Sequence, residues 1–379
     1  MLIVTTVHQT LRAFLLTFAD HLRAQGWEVE AATAPDPEVA EIADRFDRVH
    51  PVSWARSVAD PGNARAFREI RRVLERGDYD VVHVHTPIAA LVTRLAAASL
   101  RGRRPAVVYT AHGFHFYAGG DPRRNLLFRT AERIGGRFTD RLIVINTEDR
   151  DAALRHRIVP AARLRLFPGI GVDLDHYAPT PETHEAARRL RAELGIPADV
   201  AVYTMLAEFT PRKNHRAAIQ AFGRLPDRDA RLVLGGGGPR EDETRALVDR
   251  LGLTERVVFL GMVRDVRPLV LSSNATVLPS RQEGLSRAVL ESLTIGVPVV
   301  GGNTRGIRDL VDPDLGVLVD PDDVEALARA MTAVTALPTH GALRERSLER
   351  MERHSLARVI ELHDELYDEL LRERASDRA

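Results

Sequence analysis

The chain has 379 residues, 44% of them apolar and 28% charged, and its 53 basic side chains balance 53 acidic ones. That length exceeds one ordinary core and predicts two domains, while zero net charge without a basic and aromatic surface run excludes a general nucleic-acid binder. With no cysteine there is no disulfide, thiolate metal site or cysteine nucleophile. No apolar run approaches the ~18 residues that span a bilayer, and MLIVTT enters a strand without the basic lead of a signal peptide, so a cytoplasmic protein is expected.

Met1 to Val7 predicts a strand, HQTLRAF leads into an amphipathic helix through Gly26, and WEVEAAT predicts a second strand. This βαβ opening puts the backbone around His8 to Leu11, with Gln9 and Thr10, at the carboxyl end of the first strand, where open α/β sheets bind ligands. The turn lacks the glycine pair of a dinucleotide fingerprint, which disfavours an NAD enzyme. Ala64 to Arg76 predicts a basic helix and YDVVHVHTP a strand ending at Pro87. His83 and His85 alternate by two and share a face. Such a pair binds zinc only with a third ligand, and hydrogen-bonded strand-end histidines are the commoner arrangement.

A helix over IAALVTRLAAASL and a strand over PAVVYTAHGFHFY follow, bringing His112 and Gly113 to the sheet rim as a ligand contact or a loop anchor. Asp121 to Arg141 holds six arginines and three acids around Leu126, Leu127, Phe128 and Ile134. It reads either as a helix lying on an anionic membrane surface or as a solvated helix packed on the sheet. Residues 1 to 170 carry 25 arginines against 19 acids, a balance suited to a phosphate-bearing acceptor or a membrane face.

After the strand RLIVIN, the acids of GVDLDHY match an Asp-x-Asp metal motif. Similar pairs at Asp78 with Asp80 and Asp227 with Asp229 make that match uninformative. A charged helical linker over Glu182 to Leu194 leads to the strand VAVYTMLAEF and the basic turn of TPRKNHRAAIQAF. Lys213 in that turn is the only lysine among the 53 basic residues. An ammonium suits a compact contact with phosphate oxygens, and Arg212 can meet two oxygens at once. ARLVLGGGGPREDET lacks the GK[ST] ending of a P-loop.

Pro279 to Gly301, PSRQEGLSRAVLESLTIGVPVVG, organises the second half. Gly284 turns the chain, Ser286 caps a helix with Val289, Leu290 and Leu293 on its apolar face, and Gly296 before Pro298 stops it. Glu291 lies in the second turn, about 7 Å along the axis from Ser286. The N–H groups around Gly284, Leu285 and Ser286 favour an anion. Glu283 and Glu291 are then acceptors for the hydroxyls of a sugar and a ribose. The polar C-terminal run predicts a helix whose last residues fray.

EGLSRAVLE resembles the E-x7-E element of retaining glycosyltransferases of family four. Around His112 the chain resembles the family's T-x-HG segment, and AHGFHFY with HVHTPIAA resembles the subgroup that builds cell-surface polysaccharides and lipid-linked sugars. RKN resembles the RKG or EKG segment that grips the donor diphosphate, and GNTRGIRDLV the RG-x-RDL segment. The resemblance implies an α/β GT-B fold of two facing Rossmann-like domains with parallel sheets and a cleft between them. Residues 1–175 would form the acceptor domain, 176–355 the nucleotide-sugar domain, and 356–379 a helix returning to the first. It implies sugar transfer from a nucleotide sugar, UDP-linked above all, to a hydroxyl acceptor, with no metal and no cofactor.

In that reading His112 lies near the donor sugar and the reaction centre. Arg212 and Lys213 hold the phosphates, Glu283 orients the sugar, Glu291 takes the ribose hydroxyls, and the backbone at Met262 and Val263 reads the uracil edge. Arg305 and Gly306 close the donor pocket, and Gln9, Thr10 and His85 line the acceptor side. One departure stands out: Glu208 occupies the place of an arginine common in the family, where it pairs with Arg212 or Lys213 or touches the donor sugar. Rival readings are a sugar-nucleotide epimerase, a phosphorylase carrying pyridoxal phosphate on Lys213, and a nucleotide-sugar-binding regulator without catalysis.

Overall fold

The computed structural model describes residues 1–55, 57, 60–117 and 119–376. The expected fraying falls on 377–379, outside the described residues. The chain divides into two compact units, Met1–Ile170 with Val359–Ala379, and Gly171–Arg358.

The first unit is built on short apolar runs buried on both faces, the pattern of an all-parallel sheet. Its strands are β1 (Leu2–Val4), β2 (Glu30–Thr33), β3 (Arg48–Pro51), β4 (Val81–Val84), β5 (Ala106–Ala111), β6 (Arg141–Val144) and β7 (Leu164–Leu166), in the order β3-β2-β1-β4-β5-β6-β7. The winding reverses between β1 and β4, so a ligand crevice opens beyond their carboxyl ends. Strands are shorter than the apolar runs suggest. The run beginning at Pro105 leaves the sheet at Ala111, because Gly113 takes φ +119° and turns the chain. Phe114 and Phe116 then stack 4.9 Å apart, both buried. Pro87 belongs to the next helix, Pro87–Ala98, rather than to β4. The first helical segment is not uniform, with a π-helical turn over Leu11–Leu15 before Leu16–Ala24.

Arg94, 1% exposed, meets Glu132 at 3.0 Å, and Tyr109 donates to the same carboxylate at 3.0 Å. A Cβ at Gly135 would fall 2.4 Å from the guanidinium carbon, so glycine makes room for this charge. Pairing and hydrogen bonding together allow its burial. The helix Pro122–Gly136 is capped by Asp121, which accepts from the Arg124 N–H at 2.7 Å. It packs inward through Glu132, Gly135 and Gly136 and leaves Leu126, Leu127 and Ile134 exposed. The C-terminal helix Leu356–Ser376 is held by Arg141 bonds to Glu369 (2.8 Å) and Glu373 (2.6 Å).

The second unit is also wholly parallel, with β8 (Val202–Leu206), β9 (Arg231–Gly235), β10 (Val257–Gly261), β11 (Ala275–Leu278), β12 (Val299–Gly302) and β13 (Gly316–Val319) in the order β10-β9-β8-β11-β12-β13. Its reversal lies between β8 and β11. The helix Arg287–Ile295 follows β11 and is stopped by Gly296 at φ +94°. Beyond the expected face of Val289, Leu290 and Leu293, it also buries Glu291, Ser292 and Thr294. Ser292 Oγ is satisfied by Thr276 at 2.7 Å and the Val297 carbonyl at 2.8 Å. The acids of DLD make a turn, Asp173 accepting from the N–H groups of Asp175 (3.1 Å) and His176 (2.9 Å).

Candidate active site

At the β8/β11 reversal two loops converge. The loop after β8 carries Arg212 and Lys213, and the loop after β11 carries Glu283. Lys213 Nζ donates to Glu283 Oε1 at 2.6 Å, and Arg212 Nη1 reaches Glu283 Oε2 at 3.4 Å and the Gln282 carbonyl at 3.0 Å. Backbone bonds join the same loops, the Arg281 N–H donating to the Arg212 carbonyl at 2.9 Å. Both basic residues therefore face Glu283, not Glu208. Glu208 is exposed, without an ion pair among the described residues, and stands beside the glycine turn after β9. The Phe209 N–H donates to the Gly237 carbonyl at 3.0 Å, and a Cβ at Gly236 would lie 2.1 Å from the Ala207 carbonyl oxygen. The four-glycine run is a clasp for the loop that carries Lys213.

Arg305 is buried, and its Nε donates to the Glu283 carbonyl at 3.2 Å. Gly306 has φ +76°, and a Cβ there would meet the Gly284 carbonyl oxygen at 2.3 Å. The segment after β12 thus braces the turn at Gly284 from behind. Ser286 caps the following helix, its Oγ accepting from the Val289 N–H at 3.4 Å. This orients the helix start, with Gly284 and Leu285 just before it, toward the rim.

Glu291 is buried one and a half turns on and is already engaged. Tyr177 donates to Oε1 at 2.7 Å, and Arg287 Nε reaches the same oxygen at 2.7 Å. Burial, then the Glu291 charge, pushes the Tyr177 pKa up to about 12, so the phenol stays a donor. Arg287 was legible as an i,i+4 partner. Tyr177 was not, since it lies 114 residues away in a stretch without pattern. Met262 is 80% exposed beyond β10, and Val263 is half-buried against Gly235.

The first unit's rim gathers histidines. His83 is held by Tyr367 Oη and Thr110 Oγ1, each at 2.7 Å. His85 Nδ1 lies 3.2 Å from His112 Nε2, and the rings stack 5.4 Å apart. These contacts are hydrogen bonds, and among the described residues no group of three His, Cys, Asp or Glu is arranged to hold a metal. Burial pushes the His83 and His85 pKa values well down. Burial, followed by the His363 charge, lowers that of His112 to about 4. His112 is thus neutral at neutral pH, a hydrogen-bonding group rather than a proton donor of acidic strength. Gln9 is exposed and Thr10 half-exposed in a short helical turn (His8–Thr10) that follows β1.

Residues 12–176 match Glycosyltransferase Family 4, and residues 187–352 match Glycosyl transferases group 1. The putative glycosyltransferase EpsD of Bacillus subtilis (strain 168) is 32% identical over 334 residues, 87% of this chain and 85% of that protein. UDP-Gal:alpha-D-GlcNAc-diphosphoundecaprenol alpha-1,3-galactosyltransferase of Escherichia coli is 27% identical over 72% of this chain and 70% of its own length. Anabaena Alr3699/HepE in complex with UDP-glucose has a TM-score of 0.79 at 20% identity, covering 97% of this chain and 99% of that one. Sucrose-phosphate synthase from Thermosynechococcus elongatus has a TM-score of 0.81 at 22% identity, covering 98% and 99%. At those identities the likeness is one of fold, two Rossmann-like units of the GT-B class. With the family match spanning both units, the chain belongs to glycosyltransferase family 4 and is a sugar-transferring enzyme of GT-B fold.

Proposed function

We propose that this enzyme transfers a hexose or N-acetylhexosamine from a UDP-sugar to a hydroxyl acceptor of a lipid-linked or polysaccharide precursor, with retention of anomeric configuration and without a metal. The observation that carries this reading is the Lys213–Glu283 contact at the head of a buried helix. An ammonium offers three donors, of which this contact uses one. Lys213, Arg212 and the backbone at Gly284, Leu285 and Ser286 stabilise the charge that develops on the β-phosphate as the glycosidic bond breaks. Electrostatic stabilisation of this kind usually dominates such catalysis. Glu283, held on two sides by cations, orients the donor sugar. Glu291, fixed by Tyr177 and Arg287, takes the ribose hydroxyls, and the backbone at Met262 and Val263 meets the uracil edge.

The first unit takes the acceptor at the rim of Gln9, Thr10, His85 and His112. The exposed Leu126, Leu127 and Ile134, among the arginines of the 121–141 segment, lie on an anionic membrane surface when the acceptor is lipid-linked. The E. coli relative's name, with its diphosphoundecaprenol acceptor, supports that class. Relatives' names divide on the donor. One is named for UDP-Gal, and a GDP-mannose-dependent relative from Mycolicibacterium smegmatis is 30% identical over 70% of each chain.

A thermal-shift panel of UDP, GDP, ADP and their sugars tests the donor. A ligand at 100 times its Kd adds about 2.7 kcal/mol. UDP is expected to give the largest shift; a larger one with GDP overturns the UDP assignment, and none with any overturns the nucleotide-sugar site.

A further inference from the structure

The loop that brings Arg212 and Lys213 to Glu283 also sends Thr210, Asn214 and His215 into a different cavity of about 230 Å³. This cavity lies between the helices His215–Phe222 and Glu241–Arg250, and Arg216, Arg240, Arg250 and Arg281 line it together with one carboxylate, Glu243. Two of the four guanidinium groups are compensated, Arg240 by Glu243 and Arg281 by Asp322 at 2.6 Å. Arg216 and Arg250 have no ion pair or hydrogen bond among the described residues.

The interior supplies a second, independent sign. The Thr210 hydroxyl is buried without a hydrogen-bond partner among the described residues, and because buried polar atoms are nearly always satisfied, this orphan beside the cavity marks a missing partner. His215, 4% exposed, stacks on Phe209 at 4.3 Å beside it. Burial, then the Lys213 charge, lowers the His215 pKa to about 4 against the opposing effect of a backbone hydrogen bond at Ala207, so the ring adds no charge to the cavity.

We propose that this cavity binds a small phosphate-type anion, mono- or diphosphate, separately from the nucleotide-sugar site. Guanidinium forks match phosphate oxygens, and the Thr210 hydroxyl adds a neutral donor. The volume of about 230 Å³, below the ~300–1,000 Å³ of pockets for drug-sized ligands, suits a ligand smaller than a nucleotide sugar.

The test is calorimetric titration of inorganic pyrophosphate, with inorganic phosphate in parallel, into the full chain and three variants, each first saturated with UDP so that the donor diphosphate grip is occupied. In Arg216→Ala/Arg250→Ala, which removes two exposed and unpaired side chains, affinity falls tenfold or more. In Thr210→Val, which touches no arginine, it falls threefold or more. In Lys213→Ala it stays within twofold of wild type. No binding by the wild-type protein at millimolar pyrophosphate or phosphate overturns the proposal. So does loss in Lys213→Ala with retention in the arginine variant, which would put the anion on the donor side. None of these readouts requires turnover, and UDP binding is measured separately, so failure of this site and failure of the donor assignment are distinguishable.

Discussion

Replacing Lys213 by Met separates the structural and catalytic demands on one contact. The Nζ to Oε1 distance is 2.6 Å, and the side chains are 15% and 7% exposed. Removing one partner of a buried pair costs about 3–5 kcal/mol, because the other charge is left uncompensated. Glu283 keeps Arg212 at 3.4 Å, but that guanidinium is 43% exposed and its attraction is screened, so the lower end, about 3 kcal/mol, is expected. Turnover should fall by about 2–4 kcal/mol in barrier, roughly 30- to 1,000-fold, as when one oxyanion donor is removed.

Both tryptophans, Trp27 and Trp54, lie in the first unit, so unfolding of the second is better followed by far-UV circular dichroism than by fluorescence. The double variant Lys213→Met/Glu283→Gln leaves no buried unpaired charge, since Arg212 is 43% exposed and solvated, and should recover stability to within about 1 kcal/mol of wild type. It should not recover turnover. A double variant as unstable as the single one would refute the ion-pair reasoning. Wild-type turnover by folded Lys213→Met would refute the phosphate role.

Gly306→Ala forces a Cβ onto the Gly284 carbonyl at a φ that side chains avoid, and should cost about 1–3 kcal/mol and raise the donor KM; unchanged denaturation and kinetics would show that the segment does not brace the turn. Tyr177→Phe removes the 2.7 Å bond to Glu291, worth about 1.5–3 kcal/mol for a charged acceptor, and a tenfold rise in donor KM is expected; a KM equal to wild type would end the ribose assignment for Glu291. His112 and His363 have folded pKa values of about 4, below the unfolded value near 6.5. The unfolded chain therefore binds more protons between those limits, so stability is fully present above pH 6.5 and declines as pH falls toward 4. Each contributes at most about 3 kcal/mol. Denaturation curves at pH 7.5, 5.5 and 4.5 should show this decline, and His363→Phe should flatten it; the same slope in that variant would refute the assignment to His363.

Much of this protein is legible in one dimension because its signals are local. Alternation of apolar runs with turn residues predicts a doubly wound α/β chain, and Gly284, Ser286 and Gly296 mark the start and stop of the Arg287–Ile295 helix within a dozen residues. A lone lysine in a chain otherwise rich in arginine points to Lys213 without any coordinates. Strand ends were misjudged where one glycine overrode propensity, as at Gly113 after β5. What pairs with what was not legible. The Glu283 partner lies 70 residues back, at the strand reversal, and only the order β9-β8-β11-β12 brings those loops together. That Arg305 is buried against the Glu283 carbonyl was not legible either, because burial depends on which segment packs behind it. The Tyr177 hydroxyl that holds Glu291 lies 114 residues away and was not legible in the sequence. Local sequence specifies backbone turns and helix caps through short-range sterics and hydrogen bonds, whereas the partners of buried charges are chosen by sheet topology, which joins residues far apart in the chain.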